Sequence, residues 1–404
     1  RQRMIIQDSF EQLPIELMRL FNRTADSGLK EEDVPCEMKK IHTKHGIVIE
    51  KTIDTCENNE FASTIPSVKI CIVTDDEVEK RYLDLVISTL NNLKCEIFTF
   101  ILRNGESSKS IDNAIKLYQK LIKYRFQRND VVIALGGGVV GDFSGFVAST
   151  YKRGTRFICI PTTVMAQADS CIGGKTAVNF YQEKNMIGTF YPAQLVYINT
   201  DTLKTLPDEQ FYNGLSEIIK EGLSLNRSLF EFLKTNIKEL KARDKKILVE
   251  TISWCNKLKN NIILQDPFEE KGSRQILNFG HTLGHALEAV SQYKLLHGEG
   301  VAVGMLYAML IGLEKKKLQQ NNIDEAIVLM RELHLLDKVI PFLDKHRIFD
   351  ELILIMMNDK KNKQQGICFV LLNGIGDAYT ENISDRYFLE NIWNQLVLLL
   401  LVEK

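Results

Sequence analysis

From Gly46 onward, short apolar runs alternate with longer amphipathic stretches. The runs are IVIEK, VKICIV, CEIFTFI, DVVIAL, RFICIP and LVYINT, spread between Ile47 and Thr200. Runs of this length, rich in β-branched residues and separated by helical periods, read as strands joined by helices. Their alternation predicts an α/β domain of βαβ type. Past about Asp201 the strand pattern nearly stops. Glu209–Leu223, Lys238–Leu264, Phe279–Gln292 and Val301–Leu318 carry apolar residues at helical spacing instead. One late pair of runs, ICFVLL and DAYTE around NGIG, predicts a β-hairpin. The chain thus divides into an N-terminal extension (1–45, charged, weakly periodic, with one helix), an α/β domain (46–201) and a mostly helical domain (202–404). The cleft between the last two is the default ligand site.

Charge and composition narrow the partners. A formal net charge of -1 provides no global basic field, so nucleic acid is not expected and any anion must be held by a local cluster. The longest apolar run, Leu396–Val402, is far shorter than the ~20 residues of a membrane-spanning helix. No membrane partner is expected, and no signal segment is read at the N-terminus, so the cytoplasm is the expected location. The eight cysteines stand singly, without a CxxC pair. That argues against a cysteine zinc site and against a disulfide framework.

DVVIALGGGVVGDFSGF reads as strand, glycine turn, helix, and Gly136, Gly138 and Gly141 satisfy GxGxxG. Glycines let backbone approach a pyrophosphate, and a helix N-terminus supplies amide donors and positive dipole. The match is partial. The loop follows a middle strand, and no acidic residue ends the next strand, RFICIP. A tight turn alone is the alternative. Upstream, NGESSKS places Glu106 and Lys109 just before a helix. They suit a ribose hydroxyl and a phosphate, or else a solvated cap.

The stretch from Ile160 to Pro192 sets Thr162, Thr163, Asp169, Lys175, Asn179, Lys184 and Asn185 among small and apolar residues. Buried polar groups require partners, so this density predicts a lined pocket. LNFGHTLGH spaces His281 and His285 one helical turn apart. The pair alone fits a metal site, an acid–base site or two packed core histidines. GLSEIIKEGL adds Glu217 and Lys220, and LLHGEG adds His297. Glu, His and His with an open position is a pattern of catalytic divalent metals, although the spacing is not a local HExxH. Lys220, Lys259, Arg274, Lys360, Lys361, Lys175 and Lys184 would suit an anionic, hydroxyl-rich substrate such as a sugar phosphate.

These strings, with ALGGGVVGDFSGFVASTYKRG, PTTVMAQADSCIGGKTAVN, KNMIGTFYP, TLPDEQFYNGLSEIIKEG, HGEGVAVGM and NDKKNKQQGICFVLL, occur in one order from about residue 46 to the C-terminus. Together they resemble the 3-dehydroquinate synthase family of the sugar phosphate cyclase superfamily. The resemblance implies a Rossmann-like NAD-binding domain followed by a helical metal-binding domain. It implies a lyase that uses NAD and a divalent metal, zinc or cobalt. NAD would oxidise a ring hydroxyl of 3-deoxy-D-arabino-heptulosonate 7-phosphate, phosphate would be eliminated, and the hydride would return before an aldol closure to 3-dehydroquinate.

Carried over by residue, the resemblance implies Glu217, His281 and His297 as metal ligands. His285 would hydrogen-bond near substrate. Asp169, Lys175, Lys184, Asn185, Lys220, Lys259, Arg274, Asn278 and Lys360 would face substrate, and Arg153 would reach phosphate from a neighbouring subunit, implying a homodimer. Glu106, Lys109, Gly137, Gly138, Asp142, Thr162, Thr163, Lys175, Lys184 and Thr205 would contact NAD. Three departures stand out: one extra residue before Arg274 makes Asn260 an alternative to Lys259, Gln210 stands where glutamate is common, and Lys361 competes with Lys360. The alternatives are a sister cyclase of the 2-deoxy-scyllo-inosose or valiolone type, and a glycerol dehydrogenase-like alcohol dehydrogenase. Asn278 and the intact GHTLGH weigh against the former. The number of cationic groups weighs against the latter.

Overall fold

The computed structural model describes residues 2–25, 40–43, 46–49, 68–91, 93, 95–181, 183–343, 348–358 and 366–402. In chain order its strands are β1 (Arg3–Gln7), β2 (Lys40–Thr43), β3 (Gly46–Ile49), β4 (Val68–Asp75), β5 (Cys95–Leu102), β6 (Val131–Gly136), β7 (Arg156–Pro161), β8 (Lys175–Phe180), β9 (Glu183–Phe190), β10 (Leu195–Asn199), β11 (Ile367–Gly374) and β12 (Asp377–Ile383). Six of them form one parallel sheet in the order β1-β10-β7-β6-β4-β5. β6, β7 and β10 are buried along their whole length, as a sheet covered on both faces requires. That is why their sequences are nearly continuous apolar runs rather than alternating ones. β4 pairs with β5 on one side and β6 on the other. The chain therefore reverses its direction of travel across the sheet there, and the crevice at the carboxyl ends of β4 and β6 is where such sheets take ligands.

The N-terminal segment corrects one expectation. Weak periodicity placed residues 1–45 outside the fold, yet β1 pairs with β10 from Arg3↔Leu195 to Gln7↔Asn199 and forms the sheet edge. Five residues with partly buried side chains are too few to give a readable period. The expected helix follows at Leu13–Ala25. Its Leu13, Leu17 and Phe21 pack in one cluster with Ile70, Ile72, Ile133 and Ile158 of the sheet.

The helical part follows β10. Its helices include Asp208–Leu225, Lys245–Gln265, His281–Val290 and His297–Glu314. His297–Glu314 is the central helix, with every residue from Gly298 to Gly312 buried. The stretch Lys238–Leu264, expected as one helix, breaks at Arg243, which takes a left-handed φ of 57°. The Arg243 guanidinium bonds the carbonyls of Leu203 and Lys204 and the Asp208 carboxylate, and Asp244 caps the new helix at the Ile247 amide. Those bonds offset the lost helical turn. β11 and β12 form the expected antiparallel hairpin. β8 and β9 form another, inside the polar stretch, where polar positions masked the strand period. No described helix is long and apolar enough to cross a membrane. The six described cysteines are free thiols.

Candidate active site

Two helix contacts bring the metal-type residues together. A Cβ on Gly304 would lie 1.8 Å from the Gly280 carbonyl oxygen, so the helices His281–Val290 and His297–Glu314 cross at backbone contact. A Cβ on Gly298 would lie 2.1 Å from the Asn213 carbonyl oxygen, which draws the start of the His297–Glu314 helix against Asp208–Leu225. Glycine at these crossings lets the first residues of two helices approach the middle of a third.

The result is a convergence of donor atoms. Glu217 Oε1 lies 3.1 Å from His297 Nε2 and 3.6 Å from His281 Nε2, with the Glu217 side chain only 2% exposed. His281 Nδ1 is 3.2 Å from the Phe279 carbonyl, and His297 Nδ1 is 2.9 Å from Glu288 Oε2. Both of those partners only accept, so each Nδ1 carries a proton and each Nε2 faces Glu217. Burial pulls the His281 imidazole down to about 3, helped by Lys220 and its neighbouring histidines. Burial acts the same way on His297, but hydrogen bonds to Glu217 and Glu288 outweigh it and raise that ring to about 10. Burial alone would raise Glu217; Lys220, His281 and His297 hold it well below the usual carboxylate range. One ionised oxygen and two imidazole nitrogens around one point make a donor set suited to a divalent cation. His285 lies alongside. One nitrogen each from His281, His285 and His297 fall within 4.8 Å of one another, and His285 is exposed.

Lysines continue the site. Lys220 Nζ is 2.7 Å from Glu217 Oε2 and 3.8 Å from Asp169 Oδ1. Lys259 Nζ bonds Asp169 Oδ1 at 2.8 Å and the Asp169 carbonyl at 2.6 Å. Burial opposes ionisation of Asp169, but Lys259 and Lys220 prevail and lower it. Of the two residues competing for that position, Lys259 is therefore the one that reaches Asp169. Arg274 is 2% exposed, and its guanidinium bonds the Pro267 carbonyl. Lys175 pairs with Glu269 at 2.8 Å. Lys184 sits 3.6 Å from Glu288 and 4.1 Å over the Tyr293 ring. Asn278 ends the turn Ser273–Asn278, just before His281.

The glycine loop has the expected form: β6 ends at Gly136, Gly137 caps, and the helix Gly138–Thr150 begins. A Cβ on Gly137 would press Thr163 Cγ2 at 3.0 Å. Beside the loop, Lys109 Nζ bonds Asp142 Oδ2 at 2.6 Å and also Asn185 Oδ1. Asn179 donates to Glu106 Oε1 at 2.8 Å and accepts from the Asn185 amide at 2.9 Å. Ser110, not Lys109, caps the helix that follows. The Thr163 hydroxyl accepts from the Ala166 amide at 3.1 Å, and the buried Thr162 hydroxyl has no protein partner. A helix N-terminus with no side-chain cap, flanked by a cation and a carboxylate, fits a dinucleotide.

Thr205 is exposed, with its hydroxyl 2.5 Å from that of Tyr82. Arg153 is exposed at the far end of the Gly138–Thr150 helix, about 20 Å from the glycine loop at 1.5 Å per residue. Lys360 and its competitor Lys361 lie outside the described residues. Glu288 was not anticipated, although its place seven residues after His281, on the same helical face, was a readable signal.

Comparison with known proteins identifies the family. Residues 99–213 match the 3-dehydroquinate synthase N-terminal family and residues 214–362 the 3-dehydroquinate synthase C-terminal family. The chain is 36% identical to the 3-dehydroquinate synthase of Ruminiclostridium cellulolyticum over 324 residues, which is 80% of this chain and 89% of that one. It is 40% identical to that of Alkaliphilus metalliredigens over 77% of this chain and 85% of that one. Among solved structures, the 2-epi-5-epi-valiolone synthase of Streptomyces hygroscopicus, with NAD+ and Zn2+ bound, superimposes with a TM-score of 0.75 at 26% identity, covering 82% and 91% of the two chains. A 2-deoxy-scyllo-inosose synthase complexed with carbaglucose-6-phosphate, NAD+ and Co2+ gives 0.73 at 25%, covering 81% and 91%.

Proposed function

This chain belongs to the 3-dehydroquinate synthase family, and on that premise we propose that it converts 3-deoxy-D-arabino-heptulosonate 7-phosphate into 3-dehydroquinate and phosphate. That reaction belongs to the shikimate pathway, and we place it in the cytoplasm. The convergence of Glu217, His281 and His297 beside the Lys220–Asp169–Lys259 chain carries this assignment. Glu217, His281 and His297 would hold the divalent metal. Glu106, Lys109, Gly137, Gly138, Asp142, Thr162 and Thr163 would hold NAD. When bound, the two would supply a temporary hydride acceptor and a Lewis acid at the oxygen of the hydroxyl whose carbon is oxidised.

The chain's own residues do the rest. Lys220 and Lys259 are buried ammonium groups, the first held between Glu217 and Asp169 and the second by Asp169. They stabilise negative charge that develops on substrate oxygens without having to reorganise. Lys175, Lys184 and Arg274 present cations to the phosphate and carboxylate of the substrate. His285 and Asn278 hydrogen-bond its hydroxyls. Arg153, too far along its helix to reach its own glycine loop, would complete the phosphate site of a second copy in a homodimer.

A sister cyclase is the second reading, supported by the likeness to solved structures of two such cyclases. Phosphate release separates the two. The metal-loaded protein with NAD is expected to release phosphate from the heptulosonate phosphate. Glucose 6-phosphate and sedoheptulose 7-phosphate are expected to be inert. Turnover of either of those alone would overturn the first reading.

A further inference from the structure

Glu288 has no role so far. It lies seven residues after His281 on the helix His281–Val290, two turns on, so it shares a face with His281 and His285. Its side chain is 9% exposed. A carboxylate in the last turn of a helix faces the negative end of the dipole, an unfavourable place without compensating donors. Two cationic partners supply them. Oε2 is 2.9 Å from His297 Nδ1, and Oε1 is 3.6 Å from Lys184 Nζ. Lys184 is held on its other side by the Tyr293 ring.

We infer that Glu288 is a positioning residue that fixes His297 for the metal and Lys184 for the substrate, keeping the two in register across the cleft. The carboxylate only accepts hydrogen bonds, so it holds a proton on His297 Nδ1 and leaves Nε2, which faces Glu217, as the nitrogen that would give up its proton to a metal. An amide could turn its NH2 toward Nδ1 and favour the wrong tautomer. The second oxygen restrains a lysine on β9 that is otherwise 38% exposed. His297 comes from the helical part and Lys184 from the β8–β9 hairpin, so one side chain couples a helix to a hairpin distant in sequence. The identities of metal and substrate rest on the function proposed above.

The test uses full-length protein carrying Glu288→Gln, with Glu288→Asp as a second variant and Lys184→Ala as a comparison. Affinity for Zn2+ is read by chelator competition, and the site geometry by the visible absorption of the Co2+ form. Glu288→Gln is expected to weaken metal binding on the order of ten- to a hundred-fold, to shift the cobalt bands, and to raise KM for the sugar phosphate. Glu288→Asp keeps the charge and is expected to fall between Gln and wild type. Lys184→Ala is expected to raise KM and leave metal affinity unchanged. A folded Glu288→Gln protein that binds Zn2+ like wild type, with an unaltered cobalt spectrum, overturns the positioning role. If the wild type itself neither binds Zn2+ nor releases phosphate, the functional reading fails and takes this role with it.

Discussion

Lys220→Met removes the closest counter-charge of a buried carboxylate and keeps most of the side chain's volume. Lys220 and Glu217 are each 2% exposed, and their charges are 2.7 Å apart. At an effective dielectric of about 20 the gross attraction is about 6 kcal/mol, most of it offset by desolvation. Breaking such a pair from one side costs about 3–5 kcal/mol, because the remaining charge is stranded. For a chain of this length, with an unfolding entropy of about 2 cal/mol/K per residue, that corresponds to a fall in Tm on the order of 4–6 °C. The metal-stripped protein is expected to show the full loss. A divalent cation between Glu217, His281 and His297 replaces the missing charge, so zinc should raise the Tm of the variant more than that of wild type. Scanning calorimetry of both proteins, with chelator and with excess zinc, reads the four values. If the stripped variant melts within about 1 °C of wild type and zinc raises both equally, Glu217 does not depend on Lys220 and the electrostatic account of the site is wrong.

Other outcomes follow from the same geometry. His281→Ala should lose bound metal and turnover, whereas His285→Ala should retain metal and lose turnover; equal metal loss in both would point to the three-histidine set instead. The metal-stripped protein should lose stability as pH rises above 6.5. Below that pH, His281, held down to about 3, favours higher pH while Glu221, raised to about 8, favours lower pH, so the two offset. Above it, His297, raised to about 10, keeps a proton the unfolded chain has released, so stability is lost as pH rises toward 10; a Tm that stays flat from pH 6.5 to 9.5 would contradict this. Leu17→Ala in the N-terminal helix, fully buried, should cost about 2–5 kcal/mol in denaturant titration, and an unchanged midpoint would make the segment dispensable. Arg153→Ala should cut turnover if the wild type is a dimer by light scattering, and a fully active wild-type monomer removes its trans role.

The pattern of apolar runs was enough to read five strands of the sheet and the main helices: burial on both faces leaves an apolar signature in β4, β6, β7 and β10, and the edge strand β5, though partly exposed, still carries an apolar run. β1 escaped that test because five partly buried residues carry too little period, and β8–β9 escaped it because the hairpin displays polar side chains to the cleft. The glycine loop was readable as strand, turn and helix, since close backbone approach demands glycine there. The donor set was less legible. Glu217, His281 and His297 are 64 and 16 residues apart in sequence, and only the glycine crossings at Gly280, Gly298 and Gly304 bring them together. Residue type alone made their grouping one option among several, and the resemblance rather than spacing assigned them as ligands. The contact of Lys259 with Asp169 carried no signal in the sequence and is visible only in the structure.

The most direct measurement counts product per cofactor. Metal-loaded protein, one equivalent of NAD and excess 3-deoxy-D-arabino-heptulosonate 7-phosphate are incubated, and dehydroquinate, phosphate and reduced nicotinamide are quantified by mass spectrometry and absorbance. Many equivalents of dehydroquinate and phosphate per NAD, with no net reduced cofactor and no product after chelation, are expected. Reduced nicotinamide accumulating without dehydroquinate would instead describe a simple alcohol dehydrogenase and contradict the assignment.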